Sequence, residues 1–138
     1  MPNRIFIDTL FVIALINPRD QYHARATDLA AKYEHHLFLV TDAVLLEIGN
    51  GLARSFKQEA IQVIESFFDS EEVEIVHLTP ELFQRGFDLY KSYKDKDWGL
   101  IDSISFVAMA DAGITQSLTF DGHFQQAGFE ALMAVSGT

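Results

Sequence analysis

Short apolar runs recur along this chain between longer stretches of helical spacing. Residues 4–7 read as a strand: brief, β-branched and aromatic, and uncharged after Arg4. Residues 9–16 stay apolar and stop at Asn17-Pro18, which predicts a short buried helix. Asp20 caps a predicted helix reaching about His35, with Tyr22, Ala26, Leu29, Ala30 and Tyr33 at helical spacing. Residues 37–40 are a second strand. Thr41 or Asp42 caps a helix over 42–54, with Leu45, Leu46 and Leu52 on its apolar side; Gly49 and Gly51 either weaken it or permit close packing. Residues 57–69 form a fourth helix, and residues 73–78 a strand. Thr79-Pro80-Glu81 is a cap followed by proline at the first helical position, opening a helix to about Tyr93. Lys94-Asp95-Lys96-Asp97 is a loop. A helix over 100–111 ends at Gly113, a suitable left-handed terminator. Residues 116–120 are a strand, residues 122–126 a tight turn or a single helical turn, and residues 132–135 a last short strand.

Strands that do not alternate in polarity, separated by helices, predict an α/β fold with a parallel sheet covered on both faces. Ligands of such sheets gather at the carboxyl ends of the strands. Asp8 and Asp121 fall at two of those ends.

Length and composition narrow the function. The 138 residues fit one domain spanning 1–138. No apolar run approaches the roughly 18 uncharged residues a membrane span needs. Asp8 interrupts the N-terminal apolar stretch too early for a signal peptide, so a cytoplasmic protein is expected. The absence of cysteine excludes disulfides, thiolate metal sites and cysteine nucleophiles. The formal charge of −10 argues against a broad nucleic-acid-binding surface. A polyanionic substrate then needs a local basic patch, or one supplied by a partner.

The candidate chemistry lies in four acids, Asp8, Glu47, Asp102 and Asp121, each placed beside an apolar segment. Singly they have ordinary roles: a helix cap for Asp8, a solvated helix residue for Glu47, a helix N-terminal charge for Asp102 and an Asp-Gly turn for Asp121. No Lys or Arg adjoins Glu47, Asp102 or Asp121. Converging carboxylates repel one another and stay ionised together only with cations between them. An oxygen-rich set favours Mg²⁺ or Mn²⁺. Two such ions about 4 Å apart can activate a water and stabilise the departing oxygen of a phosphodiester. Other residues read more plainly. His123 is a capping or surface residue that could reach phosphate or metal. Trp98 reads as a packing residue at a helix start, with base stacking as the alternative, Phe67 and Phe68 are core or dimer surface, and Lys91, Lys94 and Lys96 belong to a solvated loop that could touch a nucleic-acid backbone.

Taken in order, these residues resemble a known family. Phe6-Ile7-Asp8-Thr9, Leu45-Leu46-Glu47, Leu100-Ile101-Asp102-Ser103-Ile104-Ser105-Phe106 and Leu118-Thr119-Phe120-Asp121-Gly122-His123-Phe124 resemble the PIN domain, in the small bacterial form that serves as the toxin of VapBC-type toxin–antitoxin pairs. The resemblance covers essentially the whole chain. It implies a three-layer α/β/α fold with a five-stranded parallel sheet, and a Mg²⁺- or Mn²⁺-dependent ribonuclease. It implies that Asp8, Glu47, Asp102 and Asp121 bind the metal and that the hydroxyls of Thr9 and Thr119 support the site. The implied partners are an RNA substrate, an antitoxin protein and a second copy of the chain in a homodimer.

Competing readings differ at particular residues. An aspartyl-phosphate phosphatase needs a second Asp two positions after Asp8, where Leu10 stands. A receiver domain needs an acceptor Asp after its third strand, and residues 73–78 are followed by Thr79-Pro80. The alternative that survives is a non-catalytic PIN-like module that binds metal or a partner without cleaving RNA.

Overall fold

The computed structural model describes residues 3–134. In chain order the elements are β1 (Arg4–Ile7), α1 (Thr9–Ile16), α2 (His23–Lys32), β2 (Leu37–Thr41), α3 (Asp42–Leu52), α4 (Lys57–Asp69), β3 (Val73–Val76), α5 (Pro80–Ser92), α6 (Leu100–Ala112), β4 (Gln116–Leu118), α7 (Gly122–Gln126) and β5 (Glu130–Ala131). The strands form one five-stranded sheet, every pairing parallel, in the order β3-β2-β1-β4-β5. Phe6 at the centre lies opposite Leu39 on one side and Ser117 on the other. Successive strand residues point to opposite faces. Ile5, Phe6 and Ile7 are each no more than 3% exposed, so helices cover both faces of β1.

The connections explain the layering. The chain moves outward from β1 to β2 to β3, then crosses back to β4 and β5. Right-handed crossovers running in opposite directions place their helices on opposite faces. The principal helix contacts divide accordingly: α1 packs on α2 and α3, and α3 on α4, whereas α5 packs on α6 and α6 on α7. The direction of winding reverses between β1 and β4. A crevice therefore opens at their carboxyl ends, the usual ligand position in an open parallel sheet.

Local chemistry sets the element boundaries. The helix expected from Asp20 starts at His23, because Asp20 Oδ1 accepts from the Tyr22 N–H (2.8 Å) and closes a turn first. It ends by Lys32 rather than His35, whose φ of 67° is left-handed. Thr41 is the cap of α3, its hydroxyl accepting from the Val44 N–H (3.2 Å). Of the two readings of its glycines, Gly51 fits close packing, since a Cβ there would sit 3.0 Å from Ile13 Cδ1, whereas Gly49 has open space. β3 stops at Val76, not residue 78, because Asp42 Oδ1 accepts the Leu78 N–H (2.8 Å) and draws the chain toward the start of α3. β4 stops at Leu118, not residue 120, because Thr119 turns its hydroxyl to Asp8. The strand expected at 132–135 lies earlier, at Glu130–Ala131, where Glu130 pairs with Gln116 and Ala131 with Ser117. Val135 falls outside the described residues.

An aromatic cluster joins the two segments that carry Asp102 and Asp121. Phe106 stands edge-on to Trp98 (centroids 5.1 Å apart) and to Phe124 (5.0 Å). Such pairs add roughly 0.5–1.5 kcal/mol each beyond area burial. Trp98 is 7% exposed and donates through Nε1 to Gln126 Oε1 (3.0 Å). It therefore has the packing role expected of it.

Candidate active site

All four acids line a single open cleft of about 570 Å³ at the β1–β4 crevice, together with Thr9, Leu10, Ile13 and Asn50. Asp8 leaves the end of β1 and occupies the N-cap position of α1, yet its side chain makes no capping hydrogen bond. It is buried, and its Oδ2 accepts from Thr119 Oγ1 (2.8 Å). Thr119 Oγ1 also accepts from the Asp121 N–H (3.0 Å), so one hydroxyl ties the ends of β1 and β4 together. Glu47 stands half-buried on the second turn of α3, where Oε1 accepts from Thr9 Oγ1 (2.7 Å). Asp102, in the first turn of α6, reaches back through Oδ2 to the Gly99 N–H (3.1 Å). Asp121 caps α7, Oδ1 accepting from the His123 N–H (2.9 Å). The ring stack of Tyr22 on Phe120, with centroids 3.8 Å apart, steadies the approach to Asp121. Both threonines named from the sequence thus hydrogen-bond an acid of the cleft.

Among the described residues, hydrogen-bond donors meet these acids but no Lys or Arg lines the cleft. Burial pushes the Asp8 carboxyl from 3.8 up to about 7, and the charges of Asp102 and Glu47 push the same way. The Thr119 hydroxyl and the backbone N–H of Thr9 oppose that rise. Glu47 is also raised, first by its burial and then by Asp102, with the Thr9 hydroxyl opposing. Carboxyl groups in this condition take protons or cations. An all-oxygen set open to solvent on one side has the donor chemistry of a hard divalent ion that retains water.

Sequence reasoning underweighted two residues. His123 is not a peripheral cap: its Nδ1 lies 3.1 Å from Asp102 Oδ2 and 3.4 Å from Asp121 Oδ1. The signal available was its place two residues after Asp121. Asn50 lines the cleft one helical turn beyond Glu47, a spacing that puts both on one face of α3. None of the lysines named from the sequence is among the residues that line the cleft. Lys91 pairs with Asp88 and lies over the Phe87 ring, and Lys96 pairs with Asp95.

A parallel sheet of order 3-2-1-4-5, with four carboxylates gathered at its switch point, defines an α/β domain with an acidic cleft. The family model for the PIN domain matches residues 5–130, and the chain belongs to the PIN domain family. Among its relatives is the 23S rRNA-specific endonuclease VapC20 of Mycobacterium tuberculosis, 30% identical over 125 residues that cover 91% of this chain and 95% of that protein. The crystal structure of VapC20, described as a toxin that cleaves the sarcin–ricin loop, superposes with a TM-score of 0.82 at 29% identity, over 91% of this chain and 95% of that one. The fold also matches VapBC2 of Rickettsia felis, solved bound to a fragment of promoter DNA. There the TM-score is 0.64 at 16% identity, covering 93% of this chain and 96% of that one. The match to DNA-bound VapBC of Salmonella typhimurium has a TM-score of 0.62 at 14% identity, covering 95% and 97%.

Proposed function

We propose that this protein is a divalent-metal-dependent endoribonuclease and the toxin of a toxin–antitoxin pair, acting in the cytoplasm. The observation that carries the reading is the convergence of Asp8, Glu47, Asp102 and Asp121 on one cleft without a Lys or Arg among its lining residues. Its likeness to VapC20 supports RNA as the substrate and makes 23S rRNA the first one to test.

The four carboxylates fit Mg²⁺ or Mn²⁺ by donor type. When bound, the ions supply charge neutralisation and polarise the scissile phosphate and the attacking water. The chain supplies orientation. Thr119 fixes the Asp8 carboxylate, Thr9 fixes Glu47, the Gly99 N–H fixes Asp102 and the His123 N–H fixes Asp121. In the hydrolysis, water oxygen bonds to phosphorus as the bond from phosphorus to the 3′ oxygen breaks. The leaving oxygen takes a proton, so the products carry a 5′-phosphate and a 3′-hydroxyl. Leu10 and Ile13 give the cleft an apolar wall, and Asn50 offers a neutral amide beside the acids.

The test is RNA cleavage with Mg²⁺ or Mn²⁺ by wild type and Asp8→Asn. We expect wild-type cleavage and a loss of at least a hundredfold in the variant. Equal cleavage by the two proteins would refute the assignment. Metal binding without turnover of any RNA would favour the non-catalytic module instead.

A further inference from the structure

We infer that His123 is a nitrogen ligand of the cation held between Asp102 and Asp121, and that this part of the cleft therefore favours Mn²⁺ over Mg²⁺. The inference rests on the proposed metal site and adds to it a residue outside the four carboxylates. One ligand atom from each of Asp102, Asp121 and His123 lies within 4.8 Å of the other two. Nδ1 sits 3.1 Å from Asp102 Oδ2 and 3.4 Å from Asp121 Oδ1. An ion with bonds of 2.0–2.1 Å holds neighbouring donors about 3.0 Å apart at right angles and about 3.4 Å apart at tetrahedral angles. Both separations match donors sharing one ion.

Protein groups alone serve one of these two contacts, a hydrogen bond between Nδ1 and Asp102 Oδ2, and leave the other unmet. A protonated Nδ1 has one hydrogen for two carboxylate oxygens, and an unprotonated Nδ1 turns its lone pair toward both. A cation among the three satisfies every contact. The donors are also held in place beforehand. The Gly99 N–H fixes Asp102 Oδ2, the His123 N–H fixes Asp121 Oδ1, and buried Phe124 anchors the helix that carries His123. Mg²⁺ prefers oxygen and keeps its waters, whereas imidazole suits the later divalent ions and binds Mn²⁺ more readily than Mg²⁺.

The experiment loads the full chain with Mn²⁺ and records electron spin-echo envelope modulation, alongside titration calorimetry with Mn²⁺ and with Mg²⁺. Wild type is expected to show ¹⁴N modulation from a directly bound imidazole. His123→Gln, its fold checked by circular dichroism, is expected to lose that modulation. Its Mn²⁺ affinity should fall about tenfold, with the Mg²⁺ affinity changing less than twofold. Wild type grown with ¹⁵N-histidine, in which the ¹⁴N pattern should give way to ¹⁵N, answers the same question without a substitution. Tight Mn²⁺ binding without ¹⁴N modulation, or ¹⁴N modulation that persists in His123→Gln, would overturn the inference and leave the four-carboxylate site standing. No tight Mn²⁺ binding by wild type would overturn both.

Discussion

The surroundings of Asp8 disfavour its charged form. Burial raises its pKa from 3.8 to about 7, so in the metal-free protein the folded state keeps a proton that the unfolded chain releases near pH 4. The stabilising contribution of that retained proton is complete below about pH 4 and is lost as pH rises through about 7. A rise of this size corresponds to roughly 4 kcal/mol as an upper bound, which bound cations reduce. Urea denaturation of metal-free wild type should therefore show stability falling between pH 4 and pH 7. Asp8→Asn should flatten that dependence and raise stability at pH 8 by about 2–4 kcal/mol while abolishing cleavage. A variant less stable than wild type at pH 8 would contradict the electrostatic account. At the same scale, Ser105 is buried and its hydroxyl has no hydrogen-bond partner among the described residues. Ser105→Ala should be neutral or stabilise by about 1 kcal/mol in thermal denaturation.

Among the described glycines, Gly86 at the α5–α6 contact leaves the least room for a side chain. A Cβ at Gly86 would lie 2.5 Å from Ile104 Cγ1 and 3.1 Å from Ile104 Cα, and a side-chain rotation cannot move the backbone atom. Gly86→Ala should cost about 1–3 kcal/mol by chemical denaturation, although alanine is the better helix former by about 1 kcal/mol. The same contact positions the helix on which Asp102 stands, so cleavage should fall along with stability. Element identity was largely legible from periodicity, capping residues and breakers: α4 matches the expectation at both ends, and α5 and α6 differ only near their ends. α2 shortened through a local turn at Asp20, whereas β3 and β4 ended early through contacts distant in sequence. Asp42 captures the Leu78 N–H across 36 positions, and Thr119 meets Asp8 across 111. Local propensity carries no record of either contact.

For the whole molecule, a charge of −10 works against the compact state by self-repulsion, which a bound cation would relieve. Mn²⁺ at a hundredfold excess over its dissociation constant should stabilise the protein by about 2.7 kcal/mol for one site. Asp121→Asn should reduce that gain, as read by the shift of the thermal midpoint with metal concentration. The exposed aromatic rings of Phe83 and Tyr90 lie along α5, beside Phe87. Light scattering should give twice the chain mass of 15.6 kDa, and Phe83→Ser with Tyr90→Ser should return the monomer.

The residue order alone determined the alternation of strands and helices and the parallel sheet, because periodicity, caps and apolar runs are properties of neighbours along the chain; the family was legible there through the resemblance of its four acid-bearing motifs. The partners of those acids were decided in three dimensions. That Thr119 holds Asp8, that Thr9 holds Glu47 and that the His123 ring lies between Asp102 and Asp121 follows from where the sheet reverses its winding and from the aromatic cluster that draws α6 and α7 together. Hydrogen bonds and charge repulsion act over a few ångströms of space, a distance the spacing of residues along a chain does not encode.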